Sequence, residues 1–92
     1  MNGIRPLHAA AYKNQASVAA LLLASGADPN ARMREDVTPM HVAVGGGAIE
    51  VARVLLKPAD LNARDSRGHT PLEIAKKRND ARLVELLSGR SQ

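Results

Sequence analysis

Val18, Leu21 and Leu22 stand at spacing i, i+3 and i+4, as do Val51, Val54 and Leu55, and again Leu83, Leu86 and Leu87. That spacing lines one side of a helix. A shorter apolar stretch precedes each triplet, led by Pro6, Pro39 and Pro71. In the second and third stretches Met40 and Ala43, and Leu72 and Ala75, are placed to face inward. Thr38-Pro39 and Thr70-Pro71 read as helix starts, with threonine as N-cap and proline at the first helical position, where a missing N–H costs nothing. Thr70-Pro71-Leu72-Glu73 has the form of a capping box. Between the two stretches of each pair lies a turn residue, Asn14, Gly47 or Asn79. The pattern predicts three pairs of short helices, joined by polar segments 29–37 and 61–69 that form loops or tight hairpins.

The pairs are copies of one another. The prolines are 33 and 32 residues apart, and each apolar pair (Leu21-Leu22, Val54-Leu55, Leu86-Leu87) sits 15 and 16 residues after its proline. Asn30-Ala31-Arg32 is repeated as Asn62-Ala63-Arg64. Periods in this range belong to stacked supersecondary units, none of which can bury its apolar face alone. The second copy is one residue shorter at its exit. Gly26 supplies a left-handed stop for the first long helix, and in the second Pro58 takes over that task, because the residue before a proline is pushed out of the α region.

Thr-Pro-Met-His at 38–41, Gly-His-Thr-Pro-Leu at 68–72 and Gly-Ala-Asp-Pro-Asn-Ala at 26–31 resemble the ankyrin repeat. The resemblance runs from about Gly3 to Leu87, in one domain over 1–92, with repeats at about 3–35, 36–67 and 68–92. It implies an all-α repeat solenoid of stacked helix-turn-helix units linked by β-hairpin-like loops. It further implies a protein-binding module that uses the loop tips and the exposed face of the first helices. The departures are Arg5 in the slot of the capping threonine, a first copy without a preceding hairpin, and Glu73 in the slot held by His8 and His41. Those two histidines recur at the repeat period, so the resemblance assigns them hydrogen bonds between neighbouring repeats and no catalysis.

Composition narrows the chemistry. Tyr12 is the one aromatic residue, and there is no cysteine, so the core is aliphatic and disulfides and thiolate sites are excluded. No apolar run reaches the length of a membrane span, and no basic-then-apolar leader opens the chain. A cytoplasmic location is the expectation. There is no HExxH, no nucleophile elbow and no glycine-rich strand-to-helix loop. "GGG" at 45–47 follows a helix, whereas a phosphate loop opens one. No enzyme, metal or cofactor is expected. Gly45 and Gly46 sit where the short helix should still run, and mark either a frayed end, which we favour, or a shallow dip for a partner's side chain.

The formal charge of +4 favours an anionic partner. Arg32 and Arg64 share one repeat slot, Arg34 and Arg67 lie near them, and Lys76, Lys77 and Arg78 run together. Glu35, Asp36 and Asp65 interrupt this patch. A concave strip would collect Tyr12, Lys13, Arg34, Val37, Gly46, Arg67, His69 and Lys77, whose types change from copy to copy while the scaffold slots persist. Tyr12 reads equally as a core residue or as an anchor; His69 reads first as a solvated loop residue and second as a partner contact. The expected function is binding of another protein with an acidic surface, and the alternative is binding of nucleic acid or another polyanion through the basic loops. Against the alternative, the interleaved aromatics of single-strand binders are missing and no helix has a dense basic face. Finally, the third copy has the polar Arg78, Asn79, Asp80, Arg82, Glu85 and Ser88, whereas the first is nearly all alanine and leucine. The expectation is that the first repeat self-associates or continues a longer array.

Overall fold

The computed structural model describes residues 5–89. The expected start of the first repeat at Gly3 and the end of the third at Gln92 lie outside these. Six helices follow in order: α1 (Pro6–Tyr12), α2 (Ala16–Ala24), α3 (Pro39–Gly45), α4 (Ile49–Leu55), α5 (Pro71–Lys77) and α6 (Ala81–Leu87). Each odd helix packs on the even helix that follows it. The pairs then stack, α1 on α3 on α5 and α2 on α4 on α6.

The turns inside the pairs are one device used three times. Asn14, Gly47 and Asn79 all have positive φ. In each turn two N–H groups reach back to the helix's last carbonyls: Asn14 to Ala11 and Gln15 to Ala10, Gly47 to Val44 and Ala48 to Ala43, Asn79 to Lys76 and Asp80 to Ala75. This closure satisfies carbonyls that a helix end would leave bare, and it reverses the chain within three residues. Gly26 ends α2 in the same way, with its N–H on Leu23 and that of Ala27 on Leu22. The second exit differs from expectation. Regular helix stops at Leu55, three residues ahead of Pro58, and Leu56 is still in the α region. The chain leaves through a turn closed by the Ala59 N–H on the Leu55 carbonyl. Pro58 has no N–H to carry the helix on, so the last turn is lost before the proline is reached.

The core is aliphatic: Leu7, Met40, Val44, Val51, Leu55 and Leu83 are fully enclosed, with alanines between them that let the helices approach closely. Three of the expected inward residues lie at its edge. Leu72 is only partly buried, because among the described residues no further pair packs on α5 and α6. Val18 and Leu21 are exposed on the opposite end.

The three glycines separate by conformation. Gly45 closes α3, and Gly46 caps it at φ −100° and ψ 0°. A Cβ on Gly46 would lie 3.5 Å from the Val42 carbonyl oxygen, an ordinary contact. Gly47 has φ +72°, and a Cβ there would fall 2.9 Å from Arg78 Nη2. Gly46→Ala should therefore stabilise the fold by about 0.4–1 kcal/mol, by restricting the unfolded chain. Gly47→Ala should destabilise it. Paired thermal melts that moved in the same direction would contradict this assignment.

Candidate functional site

The side expected to bind a partner carries the loops 33–37 and 65–69 beside α1, α3 and α5. Two histidines hold the loops to the helices. His8 Nε2 donates to the Val37 carbonyl at 2.9 Å, and His41 Nε2 donates to the His69 carbonyl at 2.9 Å. His41 Nδ1 is tied in turn by the Thr38 N–H at 3.2 Å and the Thr38 hydroxyl at 2.8 Å. The Thr38 oxygen also accepts the His41 N–H, a capping box with histidine in the usual glutamate place. Glu73 completes the ordinary version with Thr70. The Thr70 N–H, and further out Arg64, hold the Glu73 carboxyl below its usual range.

In the first repeat Arg5 has no hydroxyl to offer, and His8 Nδ1 is buried without a partner. Burial is the main reason that His8 has a lowered pKa; the Val37 carbonyl opposes the shift, and the Arg5 charge adds to it. A histidine with a folded pKa below its unfolded value stabilises the fold fully above the unfolded value. That contribution is lost as pH falls toward the folded one. Arg5 already has the extended backbone of Thr38 and Thr70. Arg5→Thr should therefore supply both a cap and a donor for Nδ1, raising stability by about 1–2 kcal/mol. An unchanged urea midpoint at neutral pH would count against it.

The basic residues divide into two sets that sequence alone did not separate. Arg32 Nη1 donates to the carbonyls of Asp36 and Arg64, both at 2.9 Å, and Arg64 Nη1 donates to Gly68 at 2.7 Å. Arg78 Nη1 reaches back to the Gly45 carbonyl at 2.9 Å. These three guanidiniums brace the backbone of one repeat against itself or its neighbour. By contrast, among the described residues the side chains of Lys13, Arg34, Arg67 and Lys77 make no hydrogen bond or ion pair. Of the residues expected as an outer polar cap, Arg78 and Asp80 have local tasks, Asp80 accepting the Leu83 N–H at the start of α6. The outer face itself is formed by Leu72, Lys76, Ala81, Val84, Glu85 and Ser88.

The strip resolves into two hollows one repeat apart. Val37, Arg67, His69 and Lys77 line one of them, together with Glu35, Asp65, Ser66 and Ile74, so it carries charges of both signs. Tyr12 belongs to the other, an apolar notch of about 290 Å³ with His8, Ala9, Met33 and Val42. Lys13, Arg34 and Gly46 are exposed and line neither hollow. Tyr12 is 80% exposed, which removes the core reading for it. Met33, Val42 and Ile74 were missed by the sequence reading. Ala9, Val42 and Ile74 share one repeat slot, and its growing size was the available signal.

The two loops have matching frames but different tips. In each, the N–H of the first residue meets the carbonyl of the last: Met33 on Val37 at 2.9 Å, and Asp65 on His69 at 3.0 Å. The expected hairpin is thus reduced to a single bridge in the first loop. In the second, Asp65 Oδ1 accepts the N–H groups of Arg67 and His69, both at 3.0 Å. Desolvation opposes ionisation of this carboxyl, but those N–H groups outweigh it and lower its pKa. Met33 occupies the Asp65 slot and can accept nothing. Glu35 and Asp36 above it both sit at positive φ, 63° and 60°, where the second loop has Gly68 in the Asp36 slot. The Ser66 N–H donates to the Glu35 carbonyl at 2.9 Å and joins the two tips. Among the described residues no group of His, Asp and Glu could hold a metal ion, and no helix is long and apolar enough to cross a membrane.

A family model of ankyrin repeats in three copies matches residues 7–91. The chain belongs to the ankyrin repeat family. It is 38% identical over 87 residues to the human transient receptor potential cation channel subfamily A member 1, a match over 92% of this chain and 8% of that protein. It is 41% identical over 87 residues to human neurogenic locus notch homolog protein 4, covering 92% of this chain and 4% of the other. With NF-kappa-B inhibitor alpha of Sus scrofa it shares 36% over 89 residues, 89% of this chain and 28% of the inhibitor. The chain thus spans less than a third of each of these relatives. Ankyrin repeats are generally non-enzymatic modules that bind other proteins, and the helical stack with its bracing histidines is the ankyrin architecture.

Proposed function

We propose that this ankyrin chain is a non-enzymatic binding module that grips an acidic partner protein through its concave face. The observation that carries the reading is where the repeat rules are broken. Met33 gives up the loop-ordering bonds that Asp65 makes, Glu35 and Asp36 accept left-handed backbone, and Tyr12 leaves a ring in solvent, all in the first loop or beside it in the notch that Met33 lines. Local rules are broken where function outweighs stability. The gain here is an apolar notch walled by Met33, Val42 and Tyr12. Arg67 and Lys77, one repeat along, supply unpaired positive charge, and Arg34 is exposed in the loop between Met33 of the notch and Glu35 of the charged hollow. A partner segment with an apolar side chain for the notch and carboxylates beyond it satisfies both hollows.

A relative of this chain is named as an inhibitor of NF-kappa-B, which supports a reading by protein binding. Capture with the whole chain as bait, followed by kinetics on the recovered protein, tests the reading. Arg34→Glu and Arg67→Glu should mainly slow association and flatten its salt dependence, since exposed charges at a rim steer encounter more than they hold the complex. Unchanged association rates in the double variant would move the site off this face. Recovery of nucleic acid alone, with a steep log-linear salt dependence, would replace the protein partner by a polyanion.

A further inference from the structure

We propose that Met33 is an oxidation site, at which a peroxide turns the thioether into a sulfoxide and so moves the side chain from the apolar notch onto the first loop. Its last step, release of a partner, rests on the concave reading given under the proposed function; the earlier steps do not. Access comes first. Met33 is half-buried, whereas Met40, the other methionine among the described residues, is 0% exposed. An oxidant in solvent therefore reaches one thioether and not the other. Placement comes second. Met33 walls the notch with His8, Ala9, Tyr12 and Val42, and it also stands in the slot of Asp65. There Asp65 Oδ1 gathers the N–H groups of Arg67 and His69, both at 3.0 Å. Among the described residues no side chain accepts the corresponding N–H groups of Glu35 and Val37.

The step is a two-electron oxygen transfer. A sulfur lone pair attacks one peroxide oxygen, the O–O bond breaks as the S–O bond forms, and the other oxygen leaves as water or an alcohol, taking the proton. Sulfur is oxidised and the peroxide reduced. The product has a strong acceptor oxygen on a side chain that had none. Against Ala9, Val42 and the Tyr12 ring face that oxygen finds no donor. His8 offers none either, because its Nε2 hydrogen is already on the Val37 carbonyl. A polar atom held there without a partner is costly. Over the loop the oxygen meets both unanswered N–H groups. It is one bond farther from Cα than Asp65 Oδ1, so it has the reach. Oxidation thus orders the first loop as the carboxylate orders the second, where Glu35 and Asp36 otherwise hold φ of 63° and 60° without such a clamp. It also takes the thioether wall from the notch, and an apolar anchor lodged there loses that contact.

Dilute hydrogen peroxide acting on the whole chain tests this without a partner, with oxidation read residue by residue by mass spectrometry and amide exchange by NMR. Met33 should oxidise about tenfold or more faster than Met40. Exchange at the Glu35 and Val37 N–H groups should slow by about fivefold or more in the sulfoxide form. Met33→Gln, whose amide oxygen lies as many bonds from Cα as the sulfoxide oxygen, should show that slowing with no oxidant. Met33→Leu keeps the apolar wall and should show none, with or without peroxide. Equal oxidation of the two methionines would overturn the proposal, and so would unchanged exchange in the sulfoxide and glutamine forms. For the last step, the protein recovered by capture on the unoxidised chain should leave the sulfoxide form about tenfold faster, and leave peroxide-treated Met33→Leu at its ordinary rate. A dissociation rate indifferent to oxidation would overturn that step and leave the concave reading standing. Indifference of binding to Arg34→Glu and Arg67→Glu would remove the concave reading and leave the oxidation and exchange results in place.

Discussion

His41→Leu should destabilise the protein by about 3 kcal/mol, and His8→Leu by about 1 kcal/mol or less, although the two histidines hold the same slot one repeat apart. The difference lies in what each removal strands. His41 serves three groups: the His69 carbonyl through Nε2, and the Thr38 N–H and hydroxyl through Nδ1. Thr38 and His41 are both buried, so water cannot replace the lost partners. A buried polar group left unmade costs about 1–3 kcal/mol, and the partly exposed loop carbonyl sits at the low end of that range. His8 donates through Nε2 to the Val37 carbonyl, at a half-buried residue that water can reach, and has no threonine bracket at Nδ1. Its substitution also removes the orphaned Nδ1, an offsetting gain. A domain of this length has about 5–14 kcal/mol in total, so the first change should be plain in a urea titration. Equal losses in the two variants would mean that the histidine-to-loop bond carries the effect, and that the threonine bracket is worth little.

The repeat, its helix pairs and their turns were legible in the sequence because packing and capping act at fixed spacings. Thr70 with Glu73, and Asn14, Gly47 and Asn79, are local solutions to local backbone problems, and each residue announces its conformation. The end of α4 was misplaced because Pro58 acts upstream of itself, through a hydrogen bond that it cannot donate. The inward reading of Val18 and Leu72 followed helix periodicity correctly, but periodicity says which face is apolar and not whether a neighbour covers it. The arginines were hardest to sort. Arg32 and Arg34 are two residues apart and alike in sequence, yet one braces two carbonyls and the other stands unpaired in solvent. That distinction depends on where the next repeat's backbone passes, and residues thirty positions away decide it. The apolar notch was hidden for the same reason, since Met33 comes from a loop and Val42 and Ala9 from different helices.

Tyr12→Ala should weaken binding of the partner by about 2 kcal/mol or more, roughly thirtyfold, while leaving the fold untouched. The free chain leaves nearly all of this ring in water, so little packing is lost on truncation. What is lost is surface available to a partner. Covering about half of a tyrosine side chain removes roughly 80–100 Å² from water, worth about 2–2.5 kcal/mol at the usual transfer coefficient. Its backbone is fixed at the end of α1, closed by the Asn14 turn directly after it, and Met33 and Val42 share its notch. An anchor already ordered on a helix loses little conformational entropy on binding. Tyr12→Phe separates the contributions, since it keeps the apolar area and removes only the hydroxyl, and affinity near that of the parent would assign the energy to the ring face. The decisive measurement is the dissociation rate, where a buried anchor should act, in contrast to the rim arginines, whose changes should appear in association. If Tyr12→Ala binds with full affinity and an unchanged off-rate, the notch is empty in the complex, and the partner is held by the charged hollow around Arg67 and Lys77 alone.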